Sequence, residues 1–145
     1  MTGKKIITVC DSGKIAYLLR ELGIPPHIIG YDYIVEAIRL GLEDHKILHR
    51  ITKGLYIDIA KKYGTTTARV ERAMRHAIIF AFDNGDSELL HSIFGNTISR
   101  NTGKVTNQHF IAAIVTILES EPNHPIFRGS IYETQATRTF MEVSI

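Results

Sequence analysis

The feature that most constrains this chain is a junction between two helix-forming segments in residues 59–77, IAKKYGTTTARVERAMRHA. A small Ala60 is followed four residues later by Gly64, and six residues after the glycine comes the apolar Val70. A small residue lets a second helix approach closely, and glycine tolerates the left-handed conformation that a tight turn needs. The threonines at 65–67 can cap the next helix through their hydroxyls. This spacing predicts two helices packed across a short turn, the second beginning near Thr67.

Three helical regions are predicted before this turn, because apolar residues recur at helical spacing. The first covers about 12–22, with Asp11 or Ser12 as its N-cap and Gly23 at its end. The second has Pro26 in its first turn and continues to about residue 42. The third covers about 45–63, where Gly54 weighs against one unbroken helix.

Three further helices are predicted after the turn. The helix from Thr67 reaches about residue 82, a short helix over SELLHSIF is closed by Gly95, and Thr106 or Asn107 caps the last helix. Residues 4–9 are β-branched and the tail lacks a helical period, so both ends are predicted to be extended. The expected fold is an all-α, six-helix domain with a helix-turn-helix over residues 11–121, an N-terminal arm over 1–10 and a C-terminal tail over 122–145.

Composition limits the class of protein. The 145 residues, 44% of them hydrophobic, suffice for one core, and a single Cys10 excludes an internal disulfide. The chain begins without the long apolar stretch of a secretory signal, and charges interrupt every apolar segment before it reaches the roughly 18 residues of a membrane helix. We therefore expect a cytoplasmic, nucleoid-associated protein that does not contact membranes.

No pattern for catalysis or metal binding is complete. His45 and His49 have the spacing for a shared metal ion, yet neither an HExxH motif nor a cysteine pair accompanies them. The glycines do not form a phosphate-binding loop, and no oriented base accompanies Ser12. We predict that the protein is not an enzyme and needs no metal and no cofactor.

Positive charge is concentrated beside the predicted turn. Residues 53–76 contain six lysines and arginines against two carboxylates, a local net charge of +4, whereas the whole chain has a net charge of +2. A concentrated basic stretch is the electrostatic signature of a surface that faces phosphates. This segment is therefore the candidate for contact with double-stranded DNA.

The helix from Thr67 separates apolar from polar residues. Steps of about 100° per residue place six apolar side chains on one side, namely Val70, Ala73, Met74, Ala77, Ile78 and Ala81. The other side carries Arg69, Glu71, Arg72, Arg75 and His76. An ordinary solvated face shows the same separation, but arginine bonds guanine in a bidentate manner and a carboxylate accepts from cytosine. A glutamate among arginines weakens phosphate binding, so Glu71 favours the reading of base sequence.

Longer motifs support a family resemblance. The segments GIPPHIIGYDYIVEAI, ITKGLYIDIAKKYGTTTARVERAMRHAI, IFG and TNQHFIA resemble the effector domain of the sporulation response regulator called stage zero sporulation protein A, over about residues 15–120. The resemblance implies a six-helix domain that binds elements similar to TGNCGAA as tandem dimers. It also implies that Arg69, Glu71 and Arg72 face bases, while Arg75 and His76 lie near the DNA backbone.

Other polar residues beside the turn complete the predicted interface. The expected DNA-backbone contacts are Lys61, Lys62, Thr66, Thr67, Arg75, His76 and Lys104. Their cationic or hydroxyl groups suit phosphate oxygens, and phosphate contacts position a protein without reading sequence.

The chain departs from the family at both ends. The family joins this domain to a receiver that is phosphorylated on aspartate, whereas only about ten residues precede the first helix here. We therefore expect DNA binding that is independent of aspartyl phosphorylation. The arm and the tail are predicted to pair between copies and support a homodimer. The alternative is an interaction protein without a receiver, which would modulate a full-length response regulator by heterodimerisation.

Overall fold

The computed structural model describes residues 9–95, 105–120 and 126. In these residues the chain forms six α-helices and no strand, which confirms the all-α, six-helix prediction. The helices are α1 (Val9–Leu22), α2 (Tyr31–Glu43), α3 (Tyr56–Tyr63), α4 (Thr67–Asn84), α5 (Ser87–Phe94) and α6 (Asn107–Glu119). None of the described helices is long and apolar enough to cross a bilayer.

The core is organised around α6, which packs against α1, α2, α4 and α5. Its apolar face recurs every three or four residues and is completely buried at Phe110, Ile111 and Ile114. The Phe94 ring of α5 stacks on Phe110 with centroids 5.1 Å apart and an interplanar angle of 13°. Burial of this face holds the other helices in place, since short isolated helices are marginal in water.

The start of α1 differs from the prediction. The helix begins at Val9, so the backbone at Asp11 and Ser12 is already helical and neither residue is its N-cap. Residues 9 and 10 are therefore not part of an extended arm. The remainder of the predicted N-terminal arm, residues 1–8, lies outside the described residues, as do residues 122–125 and 127–145 of the predicted tail.

The start of α2 was predicted too early, at Pro26 rather than at Tyr31. Residues 24–30 instead form a turn, in which the Ile24 N–H donates to Leu19 O at 2.8 Å and the Tyr31 N–H donates to Ile28 O at 3.0 Å. Gly30 packs so tightly against α4 that an added Cβ would lie 2.2 Å from the carbonyl oxygen of Ala73. This tertiary contact sets where the helix begins.

The third predicted helix, over about 45–63, is not continuous. It consists of a 3₁₀ turn (His45–His49), a π-helical turn (Ile51–Leu55) and α3. Arg50 interrupts the helical backbone with φ −127° and ψ 50°. The π-helical turn is wider than an α-helical turn, and the Leu55 N–H donates across it to Arg50 O. The break lets Leu48 and Leu55 both enter the core.

The predictions for α4, α5 and α6 agree closely with the structure. The fourth helix begins at Thr67 as predicted and extends two residues beyond the expected end, to Asn84. The fifth covers SELLHSIF and is followed by Gly95. Of the two candidate caps for α6, Thr106 is the one used, because its hydroxyl accepts from the His109 N–H at 3.2 Å.

Candidate nucleic-acid interface

The turn between α3 and α4 has the geometry that its sequence predicts. Gly64 ends α3 in the left-handed region at φ 63° and ψ 41°. The Thr65 N–H donates back to Ala60 O at 2.9 Å, which satisfies a carbonyl at the end of α3. Thr66 is the N-cap of α4, since its hydroxyl accepts from the Arg69 N–H at 3.2 Å. A left-handed glycine and a hydroxyl cap therefore fix where α4 begins.

Replacement of Gly64 by valine is expected to destabilise the fold by about 1–3 kcal/mol, because a β-branched residue is strained at this φ. An added Cβ would meet no atom within 4 Å, so the cost comes from the backbone conformation and not from a clash. Gly64→Asn is the matched variant, because asparagine tolerates the left-handed region. Urea unfolding of both variants, with duplex titration, measures the effect. Full stability and affinity in Gly64→Val would show that the turn is placed wrongly.

The two sides of α4 have opposite character. Val70, Met74 and Ala77 are buried, as are Ile78 and Ala81 further along. Arg69 and Arg72 are exposed, and neither has an ion-pair partner among the described residues. With respect to the described residues, the donors of these two guanidinium groups are therefore available to a ligand.

Glu71 and Arg75 lie on the same exposed side and bind each other. The Arg75 Nη1 donates to Glu71 Oε1 at 2.6 Å, across one turn of α4. Exposed ion pairs at this spacing contribute only about 0.3–0.5 kcal/mol to stability, so a ligand that binds either side chain more strongly can replace the pair. The pairing holds the Glu71 carboxylate close to the helix through Oε1, and no described residue donates a hydrogen bond to its second oxygen.

The residues predicted to contact the DNA backbone differ in their surroundings. Lys61 is exposed and unpaired in the described part of the chain, whereas the Lys62 Nζ donates to Glu36 Oε1 of α2 at 2.7 Å. Glu36 shares this oxygen with Arg39, whose Nη1 lies 3.2 Å from it, so one carboxylate holds two cations and the group keeps a net positive charge. Thr67, Arg75 and His76 are exposed on α4. Lys104 lies outside the described residues.

Behind α4, one buried amide joins three helices. The Asn107 Nδ2 at the start of α6 donates to the Tyr56 hydroxyl of α3 at 2.9 Å and to the backbone carbonyl of Glu71 at 3.2 Å. Asn107 is 8% exposed and is the sole buried polar residue of the described chain. Burial raises the pKa of Tyr56 above its ordinary value, an effect opposed by the hydrogen bond from Asn107. The hydroxyl therefore stays protonated at neutral pH, and the network fixes α4 against α3 and α6.

The comparison with known families agrees with this geometry. A family model described as Sporulation initiation factor Spo0A C terminal matches residues 15–118. The chain belongs to this family. It contains a DNA-binding effector domain of a sporulation regulator, and it acts in the regulation of transcription. The family is one of DNA-binding domains and not of enzymes.

Within this effector domain, sequence reasoning missed three features. The pairing of Glu71 with Arg75 follows from their four-residue spacing, so the sequence contained the signal. The burial of Asn107 was also detectable, since it lies three and four residues before Phe110 and Ile111 on the buried face of α6. The contact of Lys62 with Glu36 had no signal, because the two residues are 26 positions apart.

Proposed function

We propose that α3 and α4 form a helix-turn-helix whose second helix enters the major groove and reads elements similar to TGNCGAA. Arg69 and Arg72 donate to guanines, and Glu71 accepts from a cytosine amino group. The observation that carries the proposal is the exposure of both arginines in the first two turns of α4, directly after the left-handed turn. The N-terminal part of a recognition helix is the part that contacts bases.

The backbone contacts of the proposed interface come from both sides of the turn. Lys61, which pairs with none of the described residues, offers an ammonium group at the end of α3, and Thr66 and Thr67 place hydroxyls at the start of α4. Arg75 and His76 extend the basic surface along α4. Lys62 contributes less than Lys61, because it must first leave its contact with Glu36. These contacts supply affinity for any duplex, while the base contacts supply discrimination.

We also propose that binding is independent of aspartyl phosphorylation. Arg69 and Arg72 are exposed with respect to the described residues, which supports this proposal because none of those residues has to move before the arginines reach DNA. Binding as a homodimer on paired elements remains part of the proposal, with the contact assigned to the two ends of the chain. These ends lie mostly outside the described residues.

Replacement of Arg69 by alanine is expected to weaken binding to a TGNCGAA-type duplex by about 1–3 kcal/mol, as loss of one bidentate contact does. Binding to a scrambled duplex should weaken much less. Fluorescence-anisotropy titrations on both duplexes at fixed salt measure the difference.

Arg20→Ala is the control, since it removes an exposed arginine of α1 on another part of the surface. It should leave the discrimination ratio unchanged. Equal losses for Arg69→Ala on both duplexes would make Arg69 a phosphate contact instead. If the unaltered protein binds no duplex and only a full-length response regulator captures it, the interaction-protein alternative replaces the proposal.

A further inference from the structure

An open groove of about 710 Å³ lies beside the proposed reading surface. One wall is the turn over residues 27–30, and the other is a stripe of α4 that carries Arg69, Ala73, His76 and Phe80. Residues with this spacing lie along one line of a helix. The groove is therefore parallel to α4 and continuous with the residues that we propose read bases.

The wall formed by the turn is held firmly against α4. Gly30 approaches the helix so closely that an added Cβ would lie 2.2 Å from the Ala73 carbonyl oxygen and 3.0 Å from the Ala77 Cβ. The Ile28 N–H donates to Pro25 O at 3.2 Å, and Ile24 anchors the turn in the core. The groove is thus formed before any ligand arrives, which lowers the entropic cost of binding.

The lining of the groove combines cations with apolar surface. Arg69 and Arg72 lie at one end, and His27 and His76 add nitrogen donors, while none of the lining residues is acidic. Ile29 projects from the turn and is 81% exposed, and Phe80 is 36% exposed. A ligand that fits this lining carries anionic groups regularly separated by apolar ones.

A DNA strand has this chemistry, since phosphates alternate with deoxyribose rings that present C–H groups. An occupant of the groove must also lie against the helix that carries Arg69 and Arg72. When a recognition helix enters the major groove of DNA, the sugar–phosphate strand at the edge of that major groove lies beside the helix.

We propose that the groove between the 27–30 turn and α4 seats one sugar–phosphate strand of the bound duplex, next to the bases that α4 reads. This inference rests on the proposed function. His27 and His76 donate to phosphate oxygens, and Ile29 packs against deoxyribose. This strand-binding site, called the seat below, adds affinity for every DNA sequence and sets the angle at which α4 lies in the major groove.

Two substitutions of Ile29 with opposite charge test the proposal, and its exposure makes both compatible with folding. Ile29→Lys adds a cation to the seat, so it should tighten binding about two- to fivefold on matched and scrambled duplexes alike. The slope of log K against log salt concentration should steepen by about 0.9, the value of one additional phosphate contact. Ile29→Glu should weaken binding to both duplexes by a similar factor.

Ala16→Lys on α1 is the control for charge, because it adds the same cation at an exposed position outside the groove. If Ile29→Lys and Ala16→Lys change affinity and salt slope equally, the seat does not exist. The proposed function fails separately, through loss of discrimination between the two duplexes by the unaltered protein.

Uncharged methylphosphonate linkages locate the strand. They are placed one at a time around the TGNCGAA-type element of the duplex. For each duplex, the gain in affinity that Ile29→Lys produces is measured again. We expect the gain to disappear at one or two adjacent linkages on the strand that borders the element. A gain that persists at every linkage would overturn the assignment of the groove to DNA.

Discussion

Replacement of Gly30 by alanine is expected to destabilise the domain by about 3 kcal/mol, the upper end of the usual cost of overpacking. The new Cβ would lie 2.2 Å from the Ala73 carbonyl oxygen and 2.7 Å from the carbonyl carbon. These are backbone atoms of a helix, so they cannot rotate away as a side chain would. Either the 27–30 turn or α4 must move. Urea unfolding followed by circular dichroism measures the loss.

Gly54→Ala is the matched control. At Gly54 an added Cβ would lie 3.5 Å from the Arg50 Cβ, which is an ordinary van der Waals distance. Its unfolding midpoint should stay close to that of the unaltered protein. If Gly30→Ala and Gly54→Ala unfold at the same urea concentration, the close approach of the turn to α4 is not a feature of the folded protein.

Replacement of Asn107 by aspartate is expected to cost about 3 kcal/mol at neutral pH, although the two side chains have nearly the same shape. The substitution removes the donor that reaches the Glu71 carbonyl and places a carboxylate oxygen opposite it. The Tyr56 hydroxyl can turn to donate to the new carboxylate, but the Glu71 carbonyl cannot. An incompletely paired buried charge has a cost of this size.

The loss of stability caused by Asn107→Asp should increase as pH rises. The Tyr56 hydroxyl and the start of α6 lower the pKa of an aspartate at this site, but we expect burial and the facing carbonyl to outweigh them and to raise it above the unfolded value of about 3.9. The folded state therefore binds more protons than the unfolded state, and its stability falls as pH rises. The difference between Asn107→Asp and the unaltered protein should be smallest below pH about 4 and grow towards neutral pH.

The control for this substitution is Asn84→Asp at the end of α4. Asn84 also donates its amide to a backbone carbonyl, that of Phe80 at 3.1 Å, but it is exposed. Water can replace the lost hydrogen bond there, so the loss should remain within about 1 kcal/mol. A loss in Asn107→Asp that is equally small, or that does not vary with pH, would contradict the buried network.

The sequence alone determined most of the local structure around the proposed DNA interface. The left-handed turn, the hydroxyl cap and the buried stripe of α4 all depend on residues within a few positions of one another. Gly64 adopts a positive φ without needing a contact from a distant residue, and Thr66 caps a helix that begins one residue later. Features with such short-range causes are visible in a sequence, and so is the family motif that they form.

Only the tertiary structure decided where α2 begins and where the third helical region breaks. The start of α2 depends on the contact between Gly30 and Ala73, which are far apart in sequence. The helical break at Arg50 lets Leu48 and Leu55 reach the same core. Periodicity describes which face of a helix is apolar, but it contains no information about the distance to the next helix.

The same division applies to the proposed interface. From the sequence, Arg69, Glu71 and Arg72 are predicted to read bases, because of their chemistry and their shared face on one helix. Folding decided that Glu36 binds Lys62, that Asn107 holds α4 from behind, and that the 27–30 turn lines a groove beside it. Each of these contacts joins residues from different helices, and their energies depend on distances that exist only after the helices have packed.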